Sequence, residues 1–124
     1  MRLAGLLILA AALAGCADRQ EAVTGPGTTN LKVLVSPMGT GAGPTHTHSV
    51  TCPGSAACGR LRAADLAAVP AGRACTKIYG GPAEATVRGS LEGRGVNARF
   101  SLSSGCEIDR WRQAAYLLGD PPGQ

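Results

Sequence analysis

Apolar and polar residues alternate most clearly between residues 84 and 102. Ala85, Val87 and Leu91 alternate with Glu84, Thr86, Arg88 and Ser90; beyond a Glu92-Gly93-Arg94-Gly95 turn, Val96, Ala98, Phe100 and Leu102 alternate with Asn97, Arg99, Ser101 and Ser103. A period of two sends alternate side chains to opposite faces of a sheet, so this stretch predicts a two-stranded hairpin with one wet face. Residues 31–36 are aliphatic and β-branched and stop at Pro37, which predicts a first strand; residues 48–52 follow a Gly-rich loop as its antiparallel partner. The period becomes helical between Ser55 and Val69, where Ala57, Leu61, Ala64 and Ala68 share one face, Ser55 supplies an N-cap and Pro70 with Gly72 a stop. Ile108, Trp111, Ala115 and Leu118 repeat that spacing and predict a second amphipathic helix covering the sheet, with Trp111 in the core. Between helix and hairpin, residues 73–82 form a short extended stretch closed by Gly80-Gly81-Pro82.

Composition limits this pattern to one small domain. The chain has 124 residues with 18 Gly, 8 Pro and 5 Cys, and its aromatic residues are one Phe, one Trp and two Tyr. Its core must be built from Leu, Val, Ile and Ala, and a core of that kind gains from covalent staples. The glycine content excludes an all-helical bundle, and 44% hydrophobic residues exclude a wholly disordered chain. The expected fold class is α+β.

Residues 1–15 read as an export signal, with Arg2 followed by an apolar run from Leu3 to Leu13. The run falls well short of the ~20 apolar residues a membrane-spanning helix needs. Its end, Leu13-Ala14-Gly15-Cys16, resembles the lipobox of bacterial lipoproteins. That resemblance implies lipidation of Cys16 and an extracytoplasmic protein anchored at the bacterial cell surface, with several acyl chains where one alone would hold only marginally. Residues 16–30 are polar and contain Thr24-Gly25-Pro26-Gly27, so they are expected to be a flexible linker; the domain proper is expected at 31–118 and a disordered tail at 119–124. Removing Arg2 with the signal lowers the formal charge from +4 to +3 (11 basic minus 8 acidic residues), mild for a nucleic-acid binder.

Setting Cys16 aside leaves Cys52, Cys58, Cys75 and Cys106, an even number in an exported chain, which predicts two disulfides with three connectivities open. The spacings lack the C-x2-C of zinc clusters. His46 and His48 stand two residues apart with no nearby carboxylate, so they read as exposed histidines and no metal or other cofactor is expected. The chain also lacks a G-x-S-x-G elbow, a phosphate-binding glycine pattern and a zinc-protease motif, and is expected not to be an enzyme.

Four strings occur in order between Val50 and Trp111: Val50-Thr51-Cys52-Pro53-Gly54, Ala57-Cys58-Gly59-Arg60-Leu61, Cys75-Thr76-Lys77-Ile78-Tyr79-Gly80-Gly81-Pro82, and, after the hairpin and Phe100, Gly105-Cys106-Glu107-Ile108. Together they resemble the Streptomyces subtilisin inhibitor-like family of small exported serine-protease inhibitors. The resemblance implies an antiparallel five-stranded sheet with two helices and disulfides joining Cys52 to Cys58 and Cys75 to Cys106. It also implies a reactive bond between Lys77 and Ile78, flanked by Cys75, Thr76 and Tyr79. Its partners would be subtilisin-like and trypsin-like serine endopeptidases, besides the membrane reached through the anchor. Only five residues separate Cys52 from Cys58, Gly80-Gly81 follow the reactive segment, and a Trp111-bearing segment replaces an aromatic-rich final strand, which leaves a homodimer open.

The chemistry of the segment agrees with that resemblance. Lys77 offers the long cation that trypsin-like proteases read with a buried acid, and a disulfide at Cys75 would hold the segment ready-shaped, lowering the entropy cost of binding. A second class of function uses the same fold as a non-inhibitory cell-surface binding module. The two differ in whether the segment protrudes or is packed away against Gly80-Gly81.

Overall fold

The alternation in the first strand sets the middle of the sheet. In a computed structural model, which describes residues 27–124, β1 (Thr29–Ser36), β2 (His46–Cys52), β3 (Glu84–Leu91) and β4 (Arg94–Phe100) form one antiparallel sheet in the order β2-β1-β3-β4. The ribbon and the hairpin expected from sequence are both present, and β1 joins them by pairing with β3, Val33 lying opposite Val87. Thr29, Leu31, Val33 and Val35 are buried while Asn30, Lys32 and Leu34 face water. The export signal, Cys16 and most of the expected linker lie outside the described residues.

Several expectations are corrected. β1 begins at Thr29, inside the expected linker, because the β3–β4 turn clamps it: the Glu92 N–H donates to Thr29 Oγ1 (3.0 Å) and the Gly93 N–H to the Thr28 carbonyl (2.8 Å). The sheet described has four strands, not five. Residues 73–82 form no strand, their backbone hydrogen bonds to the hairpin and α2 regions being those at Thr76 and Gly80, and the chain after β4 turns helical.

The helix expected between Ser55 and Val69 is broken into a 3-10 turn, Ala56–Gly59, and a single turn, α1 (Ala63–Leu66). Ser55 does cap, accepting from the Ala57 N–H. The Cys52–Cys58 disulfide closes a short loop there, and the carbonyls of Leu66 and Ala67, which a continuing helix would use, turn toward Arg110 instead. Leu66 is the residue buried, whereas Ala64 and Ala68 of the expected apolar face are exposed.

The second helix is found in two pieces, α2 (Gly105–Gln113) and α3 (Ala115–Leu118), divided at Ala114. Ser104 and Glu107 stand in the Ser-x-x-Glu spacing of a capping box, and the Ser104 side chain accepts from the Glu107 N–H. Ile108, Trp111, Leu117 and Leu118 are buried with Phe100, Leu102, Leu31, Val33 and Val87 in one core between the sheet and the helices. Trp111 is fully buried and donates its indole N–H to the Gly119 carbonyl at 3.0 Å. Within residues 119–124, expected to be a disordered tail, Pro121 is buried and the Gln124 side-chain amide donates to the Gly80 carbonyl, while Gly119, Asp120, Gly123 and Gln124 are exposed.

Arg110 ties these layers together. It is 9% exposed, lies over the Phe100 ring (4.0 Å), pairs with Glu107 (3.2 Å), and donates to the carbonyls of Ala67 (2.6 Å), Leu66 (3.2 Å) and Arg99. A buried guanidinium needs several acceptors, and it finds them on the loop, the hairpin and its own helix.

Candidate functional site

The extended segment crosses the end of the hairpin and the first turn of α2, and both of its ends are held. Cys75 is bonded to Cys106 of α2 with a Cα–Cα distance of 5.3 Å. The next residue adds a backbone bond, as the Gly105 N–H donates to the Thr76 carbonyl at 2.9 Å. At the other end the Gly80 N–H donates to the Leu102 carbonyl at 2.7 Å, and the Gln124 side-chain amide donates to the Gly80 carbonyl at 2.9 Å. Close approach marks the glycines at 105 and 80: a Cβ at 105 would overlap Thr76 Oγ1, and one at 80 would stand a tight 3.0 Å from each of Gln124 Nε2, Ile108 Cδ1 and Leu102 Cβ.

Between these anchors Lys77, Ile78 and Tyr79 project into solvent. Ile78 is 56% exposed and Tyr79 71%, unusual for large apolar side chains in a domain that buries Phe100, Trp111 and most of its aliphatic residues. The segment therefore protrudes and is not packed away against Gly80-Gly81. The reactive-site candidates Lys77 and Ile78 and their flanks Cys75, Thr76 and Tyr79 are thus contiguous on one exposed rib. Thr76 braces the rib through its backbone carbonyl.

The disulfides are Cys52–Cys58 and Cys75–Cys106, the connectivity implied by the resemblance. Two disulfides belong to an oxidising environment outside the cytoplasm. Among the described residues no helix is long and apolar enough to cross a membrane. The lipidation candidate Cys16 lies outside the described residues. His46 and His48 are exposed on β2, and among the described residues no group of three or more His, Cys, Asp or Glu side chains is placed to hold a metal ion. Arg88 and Arg99 lie on the wet sheet face, as read from the alternation.

The larger groove, about 780 Å³, runs between the α1 region and β4 and is lined by residues such as Leu61, Leu66, Val96 and Arg94; none of residues 75–81 contributes to it. From sequence, Leu102 and Gly105 have no role in supporting the segment, and Gln124 and Arg110 are not singled out. Of these only Gly105 carried a local signal, the capping box that surrounds it.

No protein-family model, curated protein or solved structure matches this chain. What the fold and the site define is a disulfide-stapled α+β domain that presents one doubly anchored, extended segment with a cation and two apolar side chains at its tip.

Proposed function

We propose that this chain is an exported, lipid-anchored inhibitor of serine endopeptidases, trypsin-like or subtilisin-like, that binds in the manner of a substrate through the Lys77-Ile78 bond. One observation carries the reading: the rib is fixed on both sides of that bond, at Thr76 and at Gly80, while the three residues between stand in solvent.

A flexible loop with this sequence would be a substrate. Anchoring removes most of the ordering cost on binding, so contact energy appears as affinity and slow dissociation. Lys77 would enter the primary specificity pocket, where a trypsin-like enzyme holds a carboxylate. Ile78, stiff at χ1, and Tyr79, with its large rigid face, would lie on the leaving-group side. If the enzyme's serine attacks the Lys77 carbonyl, the Ile78 amine stays beside the ester because the fold holds both flanks, and its high effective concentration favours re-formation of the peptide bond.

The test is a tight-binding titration of trypsin, and in parallel subtilisin, with the oxidised chain from Asp18 onward, followed by mass spectrometry. Stoichiometric inhibition with slow scission confined to Lys77-Ile78 is the expected result. Rapid digestion, or no binding to either enzyme, removes this reading and leaves the surface binding module.

A further inference from the structure

The two anchors of the rib differ in kind. On the Lys77 side the restraint is covalent, through Cys75–Cys106, with the Gly105–Thr76 bond beside it. On the Ile78 side it consists of two hydrogen bonds, both at Gly80, one from its own N–H to Leu102 and one to its carbonyl from Gln124. Beyond Gly80 the chain is next fixed at Ala83, 1% exposed, and at the start of β3. Gly80 is therefore the hold nearest to Ile78 on the leaving-group side, and Gln124 reaches it from 44 residues away.

We propose that Gln124 is a positioning residue for inhibition, a latch that keeps the Ile78 amine in place after scission. The inference rests on the inhibitory reading above. In the acyl-enzyme the Lys77 carbonyl is esterified to the enzyme's serine and Ile78 carries a free amine. Two nucleophiles then compete. Attack by the amine restores the peptide bond and releases the serine hydroxyl; attack by water gives a Lys77 carboxylate and an Ile78 ammonium, also releasing the serine. The competition turns on how long the amine stays in line, which is set at Gly80. Pro121 is buried, and the Gln124 N–H donates to the Pro121 carbonyl at 3.3 Å, a turn that brings the Gln124 side chain to Gly80.

The experiment compares the oxidised chain with Gln124→Ala and with Gln124→Glu, which keeps the shape but supplies an acceptor where a donor is needed. Three readouts separate the cases: amide hydrogen exchange at Gly80, affinity for trypsin whose serine is replaced by alanine, and net hydrolysis of Lys77-Ile78 by active trypsin. Loss of one hydrogen bond predicts roughly fivefold faster exchange at Gly80 and roughly fivefold faster net hydrolysis in both variants. Affinity for the inactive enzyme is expected to change less than about threefold, since resealing plays no part there. Unchanged exchange at Gly80 overturns the latch. Faster exchange with unchanged hydrolysis overturns its role in inhibition. If the parent chain exchanges slowly at Gly80, speeds up in both variants, and yet binds neither form of trypsin, the latch stands and the inhibitory reading falls.

Discussion

The Gly105 N–H donates to the Thr76 carbonyl at 2.9 Å, and the Gly105 Cα lies so close under Thr76 that a Cβ would collide with the hydroxyl. The first turn of α2 is thereby the floor on which the rib rests. A substitution that would ordinarily help a helix should here harm the site. Gly105→Ala gains up to about 1 kcal/mol in helix propensity but overpacks by roughly 1–3 kcal/mol, so the net sign is destabilising. A lowered melting temperature and weakened protease inhibition are expected together; a raised melting temperature would show that Thr76 simply swings aside.

Lys77→Glu should separate recognition from folding. The residue is exposed at the tip of the rib, so thermal stability should change by no more than about 0.5 kcal/mol. Trypsin inhibition should fall by at least a thousandfold, about 4 kcal/mol, because a carboxylate would face the acid of the specificity pocket. An inhibition constant like that of the parent would sink the assignment of the reactive bond.

Removing the disulfides one at a time should give unequal losses. With sequence separations of 31 and 6, the chain-entropy account assigns about 4 kcal/mol to Cys75–Cys106 and about 2 kcal/mol to Cys52–Cys58. The paired Cys75→Ser, Cys106→Ser variant should also turn the rib into an ordinary substrate, whereas Cys52→Ser with Cys58→Ser should leave Lys77-Ile78 slow to cleave. Equal susceptibility of the two variants to trypsin would contradict the clamp.

Arg110→Met keeps bulk and removes the donors. The carbonyls of Leu66, Ala67 and Arg99 would each lose a hydrogen-bond donor, at about 1 kcal/mol apiece, while Glu107, part-exposed, can turn to water. The net expectation is a loss of about 3 kcal/mol in urea unfolding, with the slope against denaturant unchanged.

Alkaline pH offers a test of the other end of the fold. Burial, with a hydrogen bond to Asp65 at 2.8 Å, pushes the Tyr116 phenol up to about 12. A pKa raised in the folded state means that the folded form retains the proton longer. The contribution of Tyr116 is therefore complete below the unfolded value of 10.0 and is lost as pH rises from there through about 12. Tyr116→Phe should remove that portion of the stability loss between pH 10 and 12, measured by chemical denaturation at successive pH values. A parent and variant with parallel profiles would contradict the link.

Much of this was legible along the chain. The hairpin of β3 and β4 and the burial of Trp111 follow from side-chain period, because one face of each element is wet and the other dry, while the first ribbon follows from the aliphatic and β-branched run of residues 31–36 and its stop at Pro37. The stretch from 55 to 69 misled because its period of small residues, Ala57, Ala64 and Ala68, offers too little apolar area to hold a helix against a tight disulfide and a competing guanidinium. The placement of β1 between β2 and β3 is a long-range pairing that periodicity does not encode. The site divides in the same way. Cys75, Thr76, Lys77, Ile78 and Tyr79 were readable from their own string, but their supports come from distant segments: Leu102 acts through its carbonyl, which any residue carries, and Gly105 and Gln124 meet the rib only through long-range contacts that local pattern does not encode.

On the rib itself the hydrogen bonds at Thr76 and Gly80 use only main-chain groups, the Thr76 carbonyl and the N–H and carbonyl of Gly80, which almost every amino acid carries. Grip and address are therefore written in different alphabets: the scaffold grasps the peptide backbone, while the side chains of residues 77–79 stand free in solvent. On the proposed inhibitory reading, a new residue at 77 would exchange one class of target for another and leave the fold undisturbed, so a single codon would redirect the same small domain against a different protease.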